Sequence, residues 1–186
     1  MANYAGIECD DVVNGKGIGV SLFVQGCDFH CQGCFNSETW DFKGGKEFTE
    51  ETINQIIELC KPEYITRLSI LGGEPFHPYN IETVLKLCIE FKKHYPTKQI
   101  WVWTGYTKEK LDRRLIDYAL EKDNSYDIAV HNSLLALSYI DYIIDGRFEQ
   151  DKKDLTLMYR GSSNQRIWKR TVGLQWEDVT KEIDKS

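Results

Sequence analysis

Residues 19–34 read Gly19-Val20-Ser21-Leu22-Phe23-Val24-Gln25-Gly26-Cys27-Asp28-Phe29-His30-Cys31-Gln32-Gly33-Cys34. Val20, Leu22, Phe23 and Val24 form a near-continuous apolar run, which predicts a strand buried on both faces. The remainder has small residues, no apolar period and three cysteines, and predicts a loop. The arrangement recurs downstream. Arg67 to Leu71 predicts a second strand ending at Gly72-Gly73-Glu74-Pro75, and Gln99 to Trp103 a third ending at Thr104-Gly105-Tyr106. Tyr139 to Ile144 predicts another, ending at Asp145-Gly146-Arg147-Phe148.

Helical patterns fill the intervals. Thr49 is placed to cap a helix with the stripe Ile53, Ile56, Ile57 and Cys60. Asn80 is placed to cap another, with Val84, Leu85, Leu87, Cys88 and Phe91 inward and Pro96 beyond it. Thr107 precedes a third, with Leu111 and Leu115 inward, whereas Ile128–Val130 reads as a short strand and Leu134–Leu137 as a helical turn. Strand and helix in alternation imply an α/β fold with a parallel sheet and right-handed crossovers. A chain of 186 residues is too short for eight such units, so an incomplete (β/α) barrel of about five to six is expected. Residues 1–186 are expected to form one domain, with a core over about 8–148 and a C-terminal segment over about 149–186. Ligands bind such folds at the carboxyl edge of the strands, so the three loop motifs are expected to meet at one mouth.

Composition narrows the function. A net charge of −6 argues against a nucleic-acid surface. No apolar run reaches the roughly 18–20 residues of a membrane span, and Met1 to Asp11 lacks a signal-peptide pattern, so a cytoplasmic protein is expected. Basic residues gather from Arg147 to Arg170, as a solvated surface or as a docking patch for an acidic partner. Gly15, Gly17 and Gly19 precede a strand instead of following one, the wrong context for a dinucleotide fingerprint. Trp101 and Trp103 fit a core role.

In a reducing compartment the six cysteines are not read as disulfides. Cys60 and Cys88 lie on helix stripes, where a free thiol acts as a small hydrophobe, and Cys9 has no evident role. Cys27, Cys31 and Cys34 stand apart, spaced C-x3-C-x2-C. Three thiolates on a four-iron cubane leave one iron open to activate a small molecule. The competing reading is zinc with His30 as fourth ligand, although zinc favours paired motifs.

This cysteine spacing after a first strand, with Gly72-Gly73-Glu74-Pro75 after a second, resembles the radical S-adenosylmethionine superfamily. Within it, Asn14-Gly15-Lys16-Gly17, Gly33-Cys34-Phe35-Asn36 with Thr39-Trp40, and Ile100 to Thr107 are similar to anaerobic ribonucleotide reductase-activating proteins. So are Asp145-Gly146-Arg147-Phe148 and Arg160 to Arg166, a closing signature that generic superfamily members lack. The resemblance runs from about residue 8 to 168. It departs at Gly19, near which the family usually has arginine, at Phe35 in place of tyrosine, and at His30, one residue later than usual.

The resemblance implies a 4Fe–4S cluster on Cys27, Cys31 and Cys34, with S-adenosylmethionine on the open iron. It implies cofactor contacts at Gly33, Cys34, Phe35, Gly72, Gly73 and Glu74. Thr104 either reaches the cofactor or packs its loop. Arg160, Asn164, Gln165 and Arg166 either close the barrel with a polar network or, as an exposed polar-basic loop, dock the partner; docking is the expectation carried forward. The implied activity is reductive cleavage of the cofactor to a 5′-deoxyadenosyl radical, which installs a glycyl radical on the large subunit of anaerobic ribonucleoside-triphosphate reductase. A flavodoxin-like electron donor is implied as well. The rival readings are activation of another glycyl radical enzyme of the pyruvate formate-lyase type, and a non-catalytic zinc-binding module.

Overall fold

The computed structural model describes residues 2–120 and 128–185, and Asp123–Asp127 and the side chain of Leu115 lie outside the described residues. Eight strands among them form one sheet: β1 (Asn3–Asp11), β2 (Ile18–Val24), β3 (Lys46–Glu47), β4 (Ile65–Gly72), β5 (Gln99–Trp103), β6 (Tyr142–Asp145), β7 (Arg166–Arg170) and β8 (Trp176–Asp178). The helices are α1 (Glu50–Leu59), α2 (Ile81–His94), α3 (Lys108–Leu120), α4 (Ile128–Leu137) and the short α5 (Thr180–Ile183).

The sheet order is β3-β1-β2-β4-β5-β6-β7-β8. Only β2-β4-β5-β6 pair in parallel; β1, β3, β7 and β8 extend both sides antiparallel. The expected all-parallel sheet of about five to six units is therefore corrected to a mixed sheet around four parallel strands. The added strands are half-exposed and charged, as in Arg166-Ile167-Trp168-Lys169-Arg170, so they lack the apolar run that marks a buried strand. A second correction falls at Ile128–Val130, which opens α4 instead of forming a strand. Buried Ala129, Ser133, Ala136 and Leu137 recur at helical spacing, and α4 packs on α2 and α3.

Register divides the sheet into two unlike faces. Val20, Leu22, Val24, Leu68, Ile70, Ile100, Val102 and Ile143 point to one side and share a core with the buried faces of α1, α2 and α4. Cys60 and Cys88 lie fully buried in that core. The α1 entry is fixed by Thr49, whose N–H donates to Thr52 Oγ1 at 3.2 Å. The opposite side carries Gly19, Ser21 and Phe23, matched in register to Arg67, Ser69 and Leu71, then Trp101 and Trp103, Tyr142 and Ile144. None of α1, α2 and α4 packs there; the C-terminal segment with the short α5 does, with Trp101, Ile144, Ile167 and Val179 as its small core and Ile183 against it.

An ion pair is sealed inside this second face. Arg67 has no exposed surface, and its Nη2 donates to the Asp11 carbonyl at 2.7 Å while Nη1 lies 3.5 Å from the Asp11 carboxylate. Ser21 donates to the same carboxylate, and Val13 N–H to its other oxygen at 2.7 Å. Burial pushes the Asp11 carboxyl up, but those hydrogen bonds and the Arg67 charge outweigh it and hold it below its ordinary value. Gly19 leaves room for this cation: a Cβ there would stand 2.4 Å from Arg67 Cγ. An arginine thus does occupy the space beside residue 19, supplied by β4.

Gly19→Ala is expected to destabilise the chain by about 1–3 kcal/mol, since the Arg67 stem is boxed in and cannot retreat cheaply. Urea unfolding of the metal-free protein checks it, and an unchanged midpoint would show the pair to be loosely held.

Candidate functional site

The motifs that follow β2, β4 and β5 are sewn together by backbone hydrogen bonds. Gly73 N–H donates to Val24 O and Glu74 N–H to Gly26 O, both at 2.8 Å. Asn80 Nδ2 reaches Glu74 O at 3.0 Å and Gly26 O at 3.3 Å, so its side chain ties two loops instead of capping α2. Residue 73 has to be glycine, because a Cβ there would sit 2.5 Å from Gly26 O. The cysteine loop therefore begins on a fixed base. Gly26 N–H and Cys27 N–H bind Thr39 O and Trp40 O at 2.7 and 3.1 Å, which returns residues 39–40 to the end of β2.

Cys27, Cys31 and Cys34 all line one cavity of about 590 Å³, as do Phe35, Gly72, Gly73, Glu74 and Thr104. That volume suits a small-molecule site. None of the three thiols is in a disulfide. Burial pushes the Cys27 thiol up to about 11, aided by the charges of Glu74 and Cys31, while backbone N–H groups of Phe29 and His30 oppose the rise. Cys31 is raised by burial and by Cys34, against a hydrogen bond from the Phe148 backbone and the charge of Arg147. Cys9 is exposed on β1 and outside the cavity. His30 is turned aside, its ring 4.8 Å from that of Trp40. Among the described residues no three His, Cys, Asp or Glu side chains converge as a single metal ion would need.

Glu74 is the most constrained group in the cavity wall. Its carboxylate is 1% exposed and accepts hydrogen bonds from Phe76 N–H at 2.9 Å, Thr104 Oγ1 at 2.8 Å and Gly105 N–H at 2.7 Å. Burial pushes its pKa up to about 7 in spite of those donors. Thr104 thus packs its loop and holds Glu74 at once, joining the ends of β4 and β5.

Two expected contacts are differently placed. Gly33 lies outside the cavity wall, tucked against Gln150. The premise that residues 160–166 form an exposed loop is corrected, because Arg160 and Gln165 are buried. Arg160 bonds Gln165 O at 3.1 Å and the Asp184 carboxylate, and Gln165 Nε2 donates to Gly146 O at 3.0 Å. Asn164 Nδ2 donates to Arg147 O at 2.8 Å. Arg166 clasps buried Asp145 and reaches Glu109 at 2.7 and 2.8 Å. Asp145 also accepts Lys108 N–H at 2.6 Å, so one carboxylate fastens β6, β7 and the start of α3. These four residues knit the C-terminal segment to the sheet, and Arg160 and Gln165 line the cavity from behind.

Residues not singled out as site residues from the sequence also form the wall: Phe29, Trp103, Arg147, Phe148, Leu155 and Tyr159. Arg147 and Phe148 stood in the Asp-Gly-Arg-Phe signature, whose strand-end position was the available signal. Arg147 lies over the Phe29 ring, 4.2 Å from its centre.

A family model described as "4Fe-4S single cluster domain" matches residues 13–168. A protein of Pasteurella multocida (strain Pm70), named anaerobic ribonucleoside-triphosphate reductase-activating protein, is 39% identical over 91% of this chain and 98% of its own. Namesakes from Enterobacteria phage T4 and Escherichia coli (strain K12) are 36% and 38% identical, over 95% and 83% of this chain and 99% and 90% of theirs.

The chain belongs to the anaerobic ribonucleoside-triphosphate reductase-activating protein family. The 4Fe–4S family match encompasses Cys27, Cys31 and Cys34. No described helix is long and apolar enough to cross a membrane. The Pasteurella and phage relatives match across 98% and 99% of their own lengths, and the span of the family model takes in the tail network of Arg160 to Arg166.

Two outcomes are expected. The folded chain binds the Glu74 proton more tightly than the unfolded chain does. This group's stabilisation is therefore complete below about pH 4.5 and declines as pH rises through about 7. Thermal melts of metal-free protein between those limits should show the decline, with a shallower slope in Glu74→Gln, which has no proton to release. Arg166→Ala leaves the Asp145 carboxylate buried beside fewer donors and should cost about 1–3 kcal/mol, discounted because Arg166 is 31% exposed. Denaturant titration checks this.

Proposed function

We propose that this chain activates an anaerobic ribonucleoside-triphosphate reductase by way of S-adenosylmethionine bound at a 4Fe–4S cluster on Cys27, Cys31 and Cys34. The observation that carries the reading is the meeting of those three thiols with the Gly72-Gly73-Glu74 turn around one cavity. Bound there, the reduced cluster would supply one electron to split the sulfonium into methionine and a 5′-deoxyadenosyl radical, which takes a hydrogen atom from a glycine of the reductase.

The donor set suits the group. A zinc ion draws its ligands to about 2.3 Å from one point, whereas a cubane gives each thiolate its own iron and needs the sulfurs apart. Loading must strip the protons from the three thiols, so buried Cys27 makes assembly a proton-releasing step. In this reading Gly72 and Gly73 let the backbone come close to the amino end of the cofactor. Glu74 sets that turn and places negative charge beside the ammonium, held in position by Thr104 and Gly105. Cys34 and Phe35 form the opposite wall, with Gly33 giving the loop its passage beneath Gln150. Arg160, Asn164, Gln165 and Arg166 brace the segment that closes the cavity, and its exposed neighbours meet the partner.

The four parallel strands, with α1, α2 and α4 packed on one face, support reading the sheet as part of a radical-enzyme barrel within a single domain over 1–186. A flavodoxin-like protein is the reductant that the family resemblance implies.

Anaerobically reconstituted protein should hold about four irons per chain. With a strong reductant and S-adenosylmethionine it should form 5′-deoxyadenosine. Alanine at Cys27, Cys31 or Cys34 should abolish that product, while Cys60→Ala and Cys88→Ala should keep it. Deoxyadenosine from Cys31→Ala would overturn the ligand assignment. A glycyl radical signal by electron paramagnetic resonance, seen with the ribonucleotide reductase and absent with a pyruvate formate-lyase, tests the partner.

A further inference from the structure

The inference concerns the rim of the cavity and rests on the function just proposed. Three large apolar side chains line the cavity and are yet exposed: Val13 at 70%, Phe35 at 53% and Leu155 at 74%. A residue that does both stands at the mouth. They come from three segments distant in sequence, namely the β1–β2 connection, the cysteine loop and the C-terminal segment. Val12, next to Val13 in the chain, is exposed as well. Large apolar groups gathered around an opening mark an interaction surface more strongly than single ones scattered over a protein.

Each is held on a stiff support. Val13 N–H is bound at 2.7 Å by Asp11, which is itself locked by Arg67 and Ser21. Leu155 lies between Asp154 and Thr156, whose N–H and hydroxyl bind the Asp154 carboxylate at 2.9 and 2.6 Å. That turn belongs to a hairpin closed by Asp154 N–H to Gly161 O at 3.2 Å and Ser163 N–H to Lys152 O at 2.9 Å. Phe35 rests against Phe148, ring centres 5.2 Å apart, with Lys153 Nζ 5.0 Å from its ring centre. Apolar groups held in place before contact lose little freedom on binding, which is the condition for a strong anchor.

We infer that Val13, Phe35 and Leu155 form an apolar collar that grips the reductase, with the residues flanking its reactive glycine as the occupant. The glycine Cα must enter the cavity to meet a radical formed there, so its segment has to cross this rim. Glycine has no side chain with which to anchor itself. Affinity must then come from its neighbours, and an apolar rim selects apolar neighbours. The buried Arg160 and Gln165 contribute only through the hairpin they root.

The test measures binding of the whole, iron-loaded chain to the intact reductase under anaerobic conditions. Val13→Asp and Leu155→Asp should each raise Kd about tenfold or more, and the pair further. Ile128→Asp and Val172→Asp, exposed elsewhere, should leave it unchanged. Unaltered iron content and melting temperature show that the collar variants are folded. Variants that bind as tightly as the unsubstituted chain would overturn the collar. So would affinity that falls steeply with salt and ignores both substitutions, which places the contact on the basic segment. Self-association lost in the variants, with reductase binding intact, would make the collar a contact between copies of this chain and also overturn the inference. The two readings fail separately: tight, collar-dependent binding without any deoxyadenosine sinks the radical function alone. Deoxyadenosine formation with collar-independent binding sinks the collar alone.

Discussion

The carboxylate of Glu74 is the pin on which the site turns. It accepts three hydrogen bonds from two different strand ends, and its own backbone is tied to Gly26 at the base of the cysteine loop. Without it, Phe76 N–H, Gly105 N–H and the Thr104 hydroxyl would be buried donors lacking their partner, each a penalty of about 1–3 kcal/mol. The end of β5 would then lose its link to the turn after β4, which backbone bonds alone keep tied to β2. With its pKa pushed up to about 7 by burial, this carboxyl costs stability as its proton leaves, through the buried charge and in spite of its three donors, unless a positive group enters the cavity beside it. The fold alone thus favours the neutral acid and a cationic ligand would favour the ionised form, so ligand and burial pull the same carboxyl in opposite directions.

The two faces of the sheet follow from opposite physical rules. Against α1, α2 and α4 the sheet is wholly apolar, and its cohesion is ordinary burial. On the other face Arg67, Asp11, Ser21 and Ser69 are buried together. Such a cluster adds little net stability for its desolvation, but its geometry is directional where apolar contact is not. The Asp11 end of it holds the turn that carries Val13 to the rim. The polar interior of this face is what orients its surroundings, and the helical face is what keeps the sheet together.

Sequence patterns exposed the parallel core and the helical stripes because those depend on periodic burial, which a chain records locally. Val20 to Val24, Arg67 to Leu71 and Gln99 to Trp103 all form strands as read, and Cys60 and Cys88 fall in the core as their stripes require. The outer strands were illegible for the converse reason. Asn3–Asp11 and Arg166–Arg170 are half-exposed and bear charges whose partners, Arg67 for Asp11 and Asp145 for Arg166, lie 56 and 21 residues away. A charge that is satisfied over such a distance looks like surface when only its neighbours are read. The same blindness made residues 160–166 look like a free loop. In the site itself, the convergence of the cysteines with Gly72-Gly73-Glu74 and Thr104 could be foreseen from their shared position after strand ends. The wall residues Phe29, Trp103 and Tyr159 could not, since an aromatic residue gives no local sign of which cavity it faces.

The tail network and the rim are two results of one arrangement. Arg160 and Gln165 are consumed inside the fold, so the hairpin they root cannot swing freely, and its apolar tip is presented at a fixed place beside the opening. On the function proposed above, delivery of a reactive species to a backbone atom of another protein would need two things from the surface: an opening, and an edge that positions the incoming chain without relying on the target residue. Burying Arg160 while exposing Leu155 meets both needs. A mobile basic loop would attract a partner from a distance, but it would not fix the approach to within the short range at which a hydrogen atom can be transferred.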